Sequence, residues 1–172
     1  MDYRRRRLSE RISAQLGLAL LVIATALIQA TLLPTFLRAS LNLVLVATVV
    51  GTMLRGTTHG ATVAFYAGLT LDVLAHTPLG SHILPLLIAA AITSIAMERF
   101  PAENWLLTLL LVGISTPLYH LLVVALSGGT RDWLAWLLIV PLPALVINLV
   151  LALPEYLALQ WWHERRSMIN DR

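Results

Sequence analysis

Apolar and polar positions along the chain alternate in long blocks rather than residue by residue, which predicts six apolar helical segments and no strands. The first runs from about Ser13 to Leu33 and stops at Pro34. The second covers about Ala39 to Leu54, between Arg38 and Arg55. The third covers Gly60 to about His76, and the fourth about Ser81 to Met97, closed by Glu98-Arg99-Phe100-Pro101. The fifth covers about Asn104 to Leu126 and ends at Ser127-Gly128-Gly129. The sixth lies between Trp133 and Trp162. Pro141 and Pro143 interrupt it, so it is either one kinked helix or a short piece followed by a full span from about Ala144. The second to fourth segments, at 1.5 Å per residue, reach only about 25 Å and are short for a bilayer core of about 30 Å.

Composition makes the segments membrane spans. Hydrophobic residues are 58% of the 172 and charged residues only 12%, with a mean hydropathy of +0.80. A soluble domain carries about 25% charged residues and cannot hide so much apolar surface. The expected fold is therefore all-α, a polytopic bundle of about six transmembrane helices. Residues 1–172 form a single integral membrane domain, with a basic segment at 1–12, the bundle at 13–162 and a tail at 163–172. No polar stretch is long enough for a soluble catalytic domain.

All twelve basic residues are arginine, and their positions set direction. With the amino terminus inside, Arg4, Arg5, Arg6, Arg7, Arg11, Arg55, Arg99, Arg165, Arg166 and Arg172 are cytoplasmic, and Arg38 and Arg131 are outside. This asymmetry follows the positive-inside rule and predicts both termini in the cytoplasm. Trp105, Trp161 and Trp162 then act as interface anchors, and Arg4–Arg7 meets anionic lipid rather than nucleic acid. A cleaved leader ending near Ala24-Thr25-Ala26 is the competing reading of the start; the apolar run continues past it to Leu33.

Chemistry-bearing residues are few. There is no cysteine, so disulfides, thiolate metal sites and thiol nucleophiles are excluded. The absence of lysine excludes a P-loop or Schiff-base lysine. G-x-S-x-G, H-E-x-x-H and Walker sequences are absent. No enzymatic activity and no cofactor are expected.

The stretch GATVAFYAGLTLDVLAHTPLG, Gly60 to Gly80, stands apart. Gly60, Ala64, Gly68 and Asp72 recur every four residues, which places three small residues and a carboxylate along one stripe of the third helix. Small residues admit a neighbouring backbone, so this helix is expected to be the crowded centre of the bundle. A carboxylate within a span costs about 2.5–3.5 kcal/mol at mid-membrane and needs partners. Arg38 in the first outer turn is one. The Pro78-Leu79-Gly80-Ser81 turn is another, with free amide N–H groups and Ser81 as N-cap of the fourth helix. A sharper alternative groups Asp72, His76, His82 and His120 as a divalent-metal site, since Asp72 and His76 at i, i+4 share a helix face. Gln29, Asn42 and Asn148 are read as interhelical hydrogen-bonding residues, Pro117 as a kink, and Pro85 as a kink or an early-turn proline.

Gly60, Gly68, Leu69, Leu71, Asp72 and Pro78-Leu79-Gly80, roughly G-x7-G-L-x-L-D followed by P-L-G, resemble the MreD family of bacterial rod shape-determining membrane subunits. The chain's length, its basic start and Gln29 before a proline are similar too. The resemblance implies a non-enzymatic scaffold in the cytoplasmic membrane. It would bind MreC and, through it, a class B penicillin-binding protein, a RodA-type glycosyltransferase and MreB. It would thereby help couple peptidoglycan synthesis to rod shape. It also implies an architecture like the substrate-binding subunits of energy-coupling-factor transporters. A vitamin- or metal-binding subunit of such a transporter is the rival function, with Asn42, Asp72, His76, His82 and His120 lining an outer cavity.

Overall fold

The computed structural model of the chain describes residues 2–31, 42–100 and 105–170, with side chains placed outside 2–15, 159 and 162–170. Among the described residues every regular element is helical: α1 (Asp2–Thr31), α2 (Leu43–Arg55), α3 (Thr57–Leu74), α4 (Ile83–Met97), α5 (Trp105–Leu126), α6 (Trp133–Ile139) and α7 (Pro141–Asn170). Two stretches, Trp105–Leu126 and Trp133–Ala158, are long and apolar enough to cross a membrane. The second of these joins α6 to α7.

The expected segments map onto these helices, with informative differences. α1 begins at Asp2, so the basic segment is helical and continuous with the apolar run. The sixth segment divides at Val140 into a seven-residue α6 and a long α7 that opens on Pro141. Proline suits that first helical position because its missing N–H would be unbonded there anyway. Pro85 is the third residue of α4 and Pro117 lies inside α5. The break after α5 is made by Gly128 and Gly129, both at positive φ.

The crowded centre is α2, not the third segment. α2 touches α1, α3, α4, α5 and α7, whereas α3 touches α1, α2 and α4. Nine of the thirteen α2 residues are buried, from Val44 to Met53. A helix of Leu, Val, Thr and Ala has no polar face to turn outward and is surrounded on all sides. Its threonines return their hydroxyls to the helix: Thr48 donates to the Val44 carbonyl at 2.8 Å and Thr52 to the Thr48 carbonyl at 2.6 Å. The small residues of α3 instead let α2 and the start of α4 approach. A Cβ on Gly60 would collide with the Thr52 side chain, and one on Gly68 would lie 2.5 Å from the Ile83 Cα.

Candidate functional site

Asp72 is the pivot. It lies in the last turn of α3 and is 1% exposed. Both oxygens of its carboxylate accept hydrogen bonds inside the chain. Oδ2 accepts from the Gly80 N–H at 2.7 Å. Oδ1 accepts from the His82 N–H at 2.7 Å and, more weakly, from the Thr77 hydroxyl at 3.3 Å. The Asp72 main-chain carbonyl also accepts the Thr77 N–H at 3.2 Å. One side chain therefore fastens the whole 75–82 turn onto the end of α3. Two short bonds from amides to a carboxylate are the charge-assisted kind, about twice as strong as neutral ones.

The turn can present those amides because its backbone departs from the helix. Ala75 closes α3, His76 takes φ +53 and Gly80 φ +101. Gly80 bears that conformation at no steric cost. His76 is a non-glycine residue in the left-handed region and is exposed, its Nδ1 3.1 Å from the Leu74 carbonyl oxygen.

Several expectations are corrected by this geometry. His76 does not share a helix face with Asp72, because α3 ends at Leu74 before the i+4 position is reached. Ser81 is neither N-cap nor carboxylate partner. His82 is the residue before α4, without a side-chain cap bond, and the amides of Gly80 and His82 flank Ser81 in holding the carboxylate. The Ser81 N–H donates to the Pro78 carbonyl, and its buried hydroxyl has no partner among the described residues. Arg38 lies outside the described residues. No group of three or more His, Cys, Asp or Glu gathers among the described residues in a way that could hold a metal.

The His82 ring continues the arrangement onto α5. Its Nδ1 is 2.7 Å from the Tyr119 hydroxyl, and the two rings lie 5.9 Å apart. Tyr119 packs edge-on against His120, whose Nε2 is buried and unpartnered among the described residues.

A second polar cluster lies at the same end of the bundle. Asn42 caps α2 by accepting the Leu45 N–H at 3.0 Å, and the same oxygen accepts from Gln29 Nε2 at 3.3 Å. Gln29 Oε1 accepts the Val44 N–H at 3.0 Å. The Asn42 N–H donates to Asn148 Oδ1 at 3.0 Å, and Asn148 Nδ2 donates to Thr116 Oγ1 at 3.2 Å. Four helices, α1, α2, α5 and α7, are joined through these side chains. Thr116 and Tyr119 are i, i+3 on α5, so both clusters meet on one helix face.

Asn148 has the widest reach, and removing it tests the cluster. Asn148→Leu is expected to lower stability by about 1–2 kcal/mol, because the buried Asn42 N–H loses its acceptor. Unfolding of the detergent-solubilised protein by increasing dodecyl sulfate would measure it.

Tyr119 carries no signal in the sequence, because its neighbours in a leucine-rich helix give no cue. Asn42 is legible there as polar, but its capping role is not, since it sits inside an apolar run beginning at Ala39. Comparison with protein-family models, curated proteins and solved structures returned no match.

Proposed function

We propose that the chain is a non-enzymatic scaffold of the MreD type, embedded in the bacterial cytoplasmic membrane by six passes with both termini inside. The segment that holds α6 and α7 supplies the sixth pass, and the bundle would resemble a transporter substrate-binding subunit in architecture. The Asp72 end would then be extracytoplasmic. Arg55 and Arg99, at the opposite ends of α2 and α4, would face the cytoplasm with the start of α1.

The observation that carries this reading is the self-contained Asp72 clasp. Three residues of the family resemblance take part in it: Gly68 admits the start of α4, Asp72 supplies the acceptor, and Gly80 supplies a donor. A buried carboxylate that accepts from two main-chain amides and a hydroxyl holds a turn in place and has little left for a ligand. The large exposed side chains along α5 and α7, such as Leu110, Ile114, Val146 and Val150, supply apolar surface for lipid and for a partner's spanning helix.

The deciding experiment is a mild-detergent pull-down of the tagged chain from its native membrane, read by mass spectrometry. Recovery of a single-span MreC-like protein with wall-synthesis enzymes is the expected outcome. Recovery of cytoplasmic ATPase subunits without MreC, with saturable binding of a small molecule, would replace the scaffold by the transporter subunit.

A further inference from the structure

We propose that α6 is an interfacial helix that lies along the outer boundary of the bilayer and takes lipid, not protein or water, as its partner. This rests on the membrane-spanning reading above. The helix is WLAWLLI, apolar at every position, with no buried residue. Leu134 is 70% exposed and Ile139 71%. Among the described residues α6 touches no element but α7. Water is therefore excluded as the natural surrounding of these side chains.

Length places α6 outside the hydrocarbon. From Pro141 to Trp161, α7 rises about 30 Å at 1.5 Å per residue, which already fills a bilayer core of about 30 Å. α6 would add about 10 Å if it continued along the same axis, and its leucines would stand in water.

The junction supplies the second argument. Pro141 and Pro143 have no N–H, so the carbonyls of Leu137 and Ile139 lose the amides four residues ahead. Carbonyls freed in this way need a neighbouring helix, water or headgroups; with no element but α7 beside α6 among the described residues, the junction belongs where water or headgroups can reach it. Val140 marks the bend at φ −109° and ψ −67°.

The other end of α6 is polar. Asp132 caps it, accepting the Ala135 N–H at 3.1 Å, and Arg131 precedes it with a charge suited to lipid phosphate. Trp133 and Trp136 sit edge-on with ring centroids 5.7 Å apart. Tryptophan concentrates at this boundary because its ring is apolar and its N–H is not. A protein partner would cover one side of a two-turn helix and leave the others wet; the lipid boundary accommodates an apolar helix that is exposed over most of its circumference, with only Ala135 and Trp136 half-buried.

The absence of cysteine makes the test direct. Single variants Leu134→Cys, Leu138→Cys and Val150→Cys are spin-labelled and reconstituted into phosphatidylcholine vesicles. All three positions are exposed, so the label displaces no core side chain. Accessibility to oxygen, which concentrates in the bilayer, is compared with accessibility to a water-soluble nickel chelate. The expected result is a deep label at 150, with high oxygen and minimal nickel access, and shallow labels at 134 and 138 with access to both. Labels at 134 and 138 as deep as that at 150 would make α6 part of the span and overturn the proposal. Labels there reached by nickel but not oxygen, or shielded from both, would overturn it in favour of water or protein contact. A label at 150 that behaves as aqueous would instead remove the membrane-spanning reading itself.

Discussion

Asp72→Asn destabilises the protein by about 2–4 kcal/mol, and Asp72→Ala by about 3–6 kcal/mol. The difference follows from counting acceptors. Asparagine keeps one oxygen and turns the other into an NH2 group. That group faces the N–H of Gly80 or His82, a donor against a donor, in a site 1% exposed. Alanine strands both amides and leaves a cavity as well. Interhelical hydrogen bonds between neutral side chains in membranes average only about 0.6 kcal/mol. The larger figure is expected here because the acceptor is a carboxylate, the bonds are short, and the donors are main-chain groups held in place by the turn. Thr77→Val should change stability by less than about 0.5 kcal/mol, since a 3.3 Å bond at the rim of the clasp contributes little. Dodecyl sulfate titration of the three variants should rank Asp72→Ala as the least stable, then Asp72→Asn, then Thr77→Val. An Asp72→Asn chain as stable as the parent would mean that the carboxylate is not what holds the turn.

Asp72 is legible in the sequence because a carboxylate in an apolar helix is costly wherever the helix sits, and cost demands partners. The class of partner is legible too: a turn of Pro, Leu, Gly and Ser before a helix offers free amides. Which amides is not. Ser81 has the side chain of an N-cap, yet His76 at φ +53 and Gly80 at φ +101 rotate the turn so that its neighbours point at the carboxylate. Histidine visits the left-handed region more often than most residues, but nothing in the sequence says that His76 does so. The same turn removes His76 from the helix, which dissolves the i, i+4 pairing with Asp72 on which the metal alternative depends.

Helix boundaries between Asn42 and Pro141 fall within a few residues of the apolar blocks because charges, prolines and glycines punctuate them; the last helix instead runs on to Asn170, eight residues past Trp162 and into the expected tail. The centre of the bundle differs from the expected one for a physical reason. Small residues on α3 mark close approach to neighbours on one side, not encirclement. α2, with apolar or hydroxyl residues at every position from Leu43 to Met53 except Gly51, has the composition of a surrounded helix. Tyr119 and the Asn42–Asn148 link join residues far apart in sequence, and no local pattern announces such pairs.

Gly68→Ala should be the most damaging change that adds a single methyl group. The new Cβ would stand 2.5 Å from the Ile83 Cα and 2.8 Å from its nitrogen, and 3.1 Å from the His82 carbonyl carbon. All three are backbone atoms, so no side chain can swing away. The first turn of α4 must move off α3 by about 1 Å to restore ordinary contact. That shift carries the His82 N–H, 2.7 Å from Asp72 Oδ1, beyond good hydrogen-bond length. Overpacking alone costs about 1–3 kcal/mol, and the lost clasp bond adds about 1.5–3 kcal/mol. The two costs share one cause, so the Gly68→Ala, Asp72→Asn double variant should be less unstable than the sum of the singles by more than about 0.5 kcal/mol. Strict additivity in the same dodecyl sulfate titration would mean that Gly68 spaces the helices without positioning the turn. Gly113, on α5, is the control: a Cβ there meets only the Leu149 Cδ2 at 3.9 Å, so Gly113→Ala should be neutral or slightly stabilising.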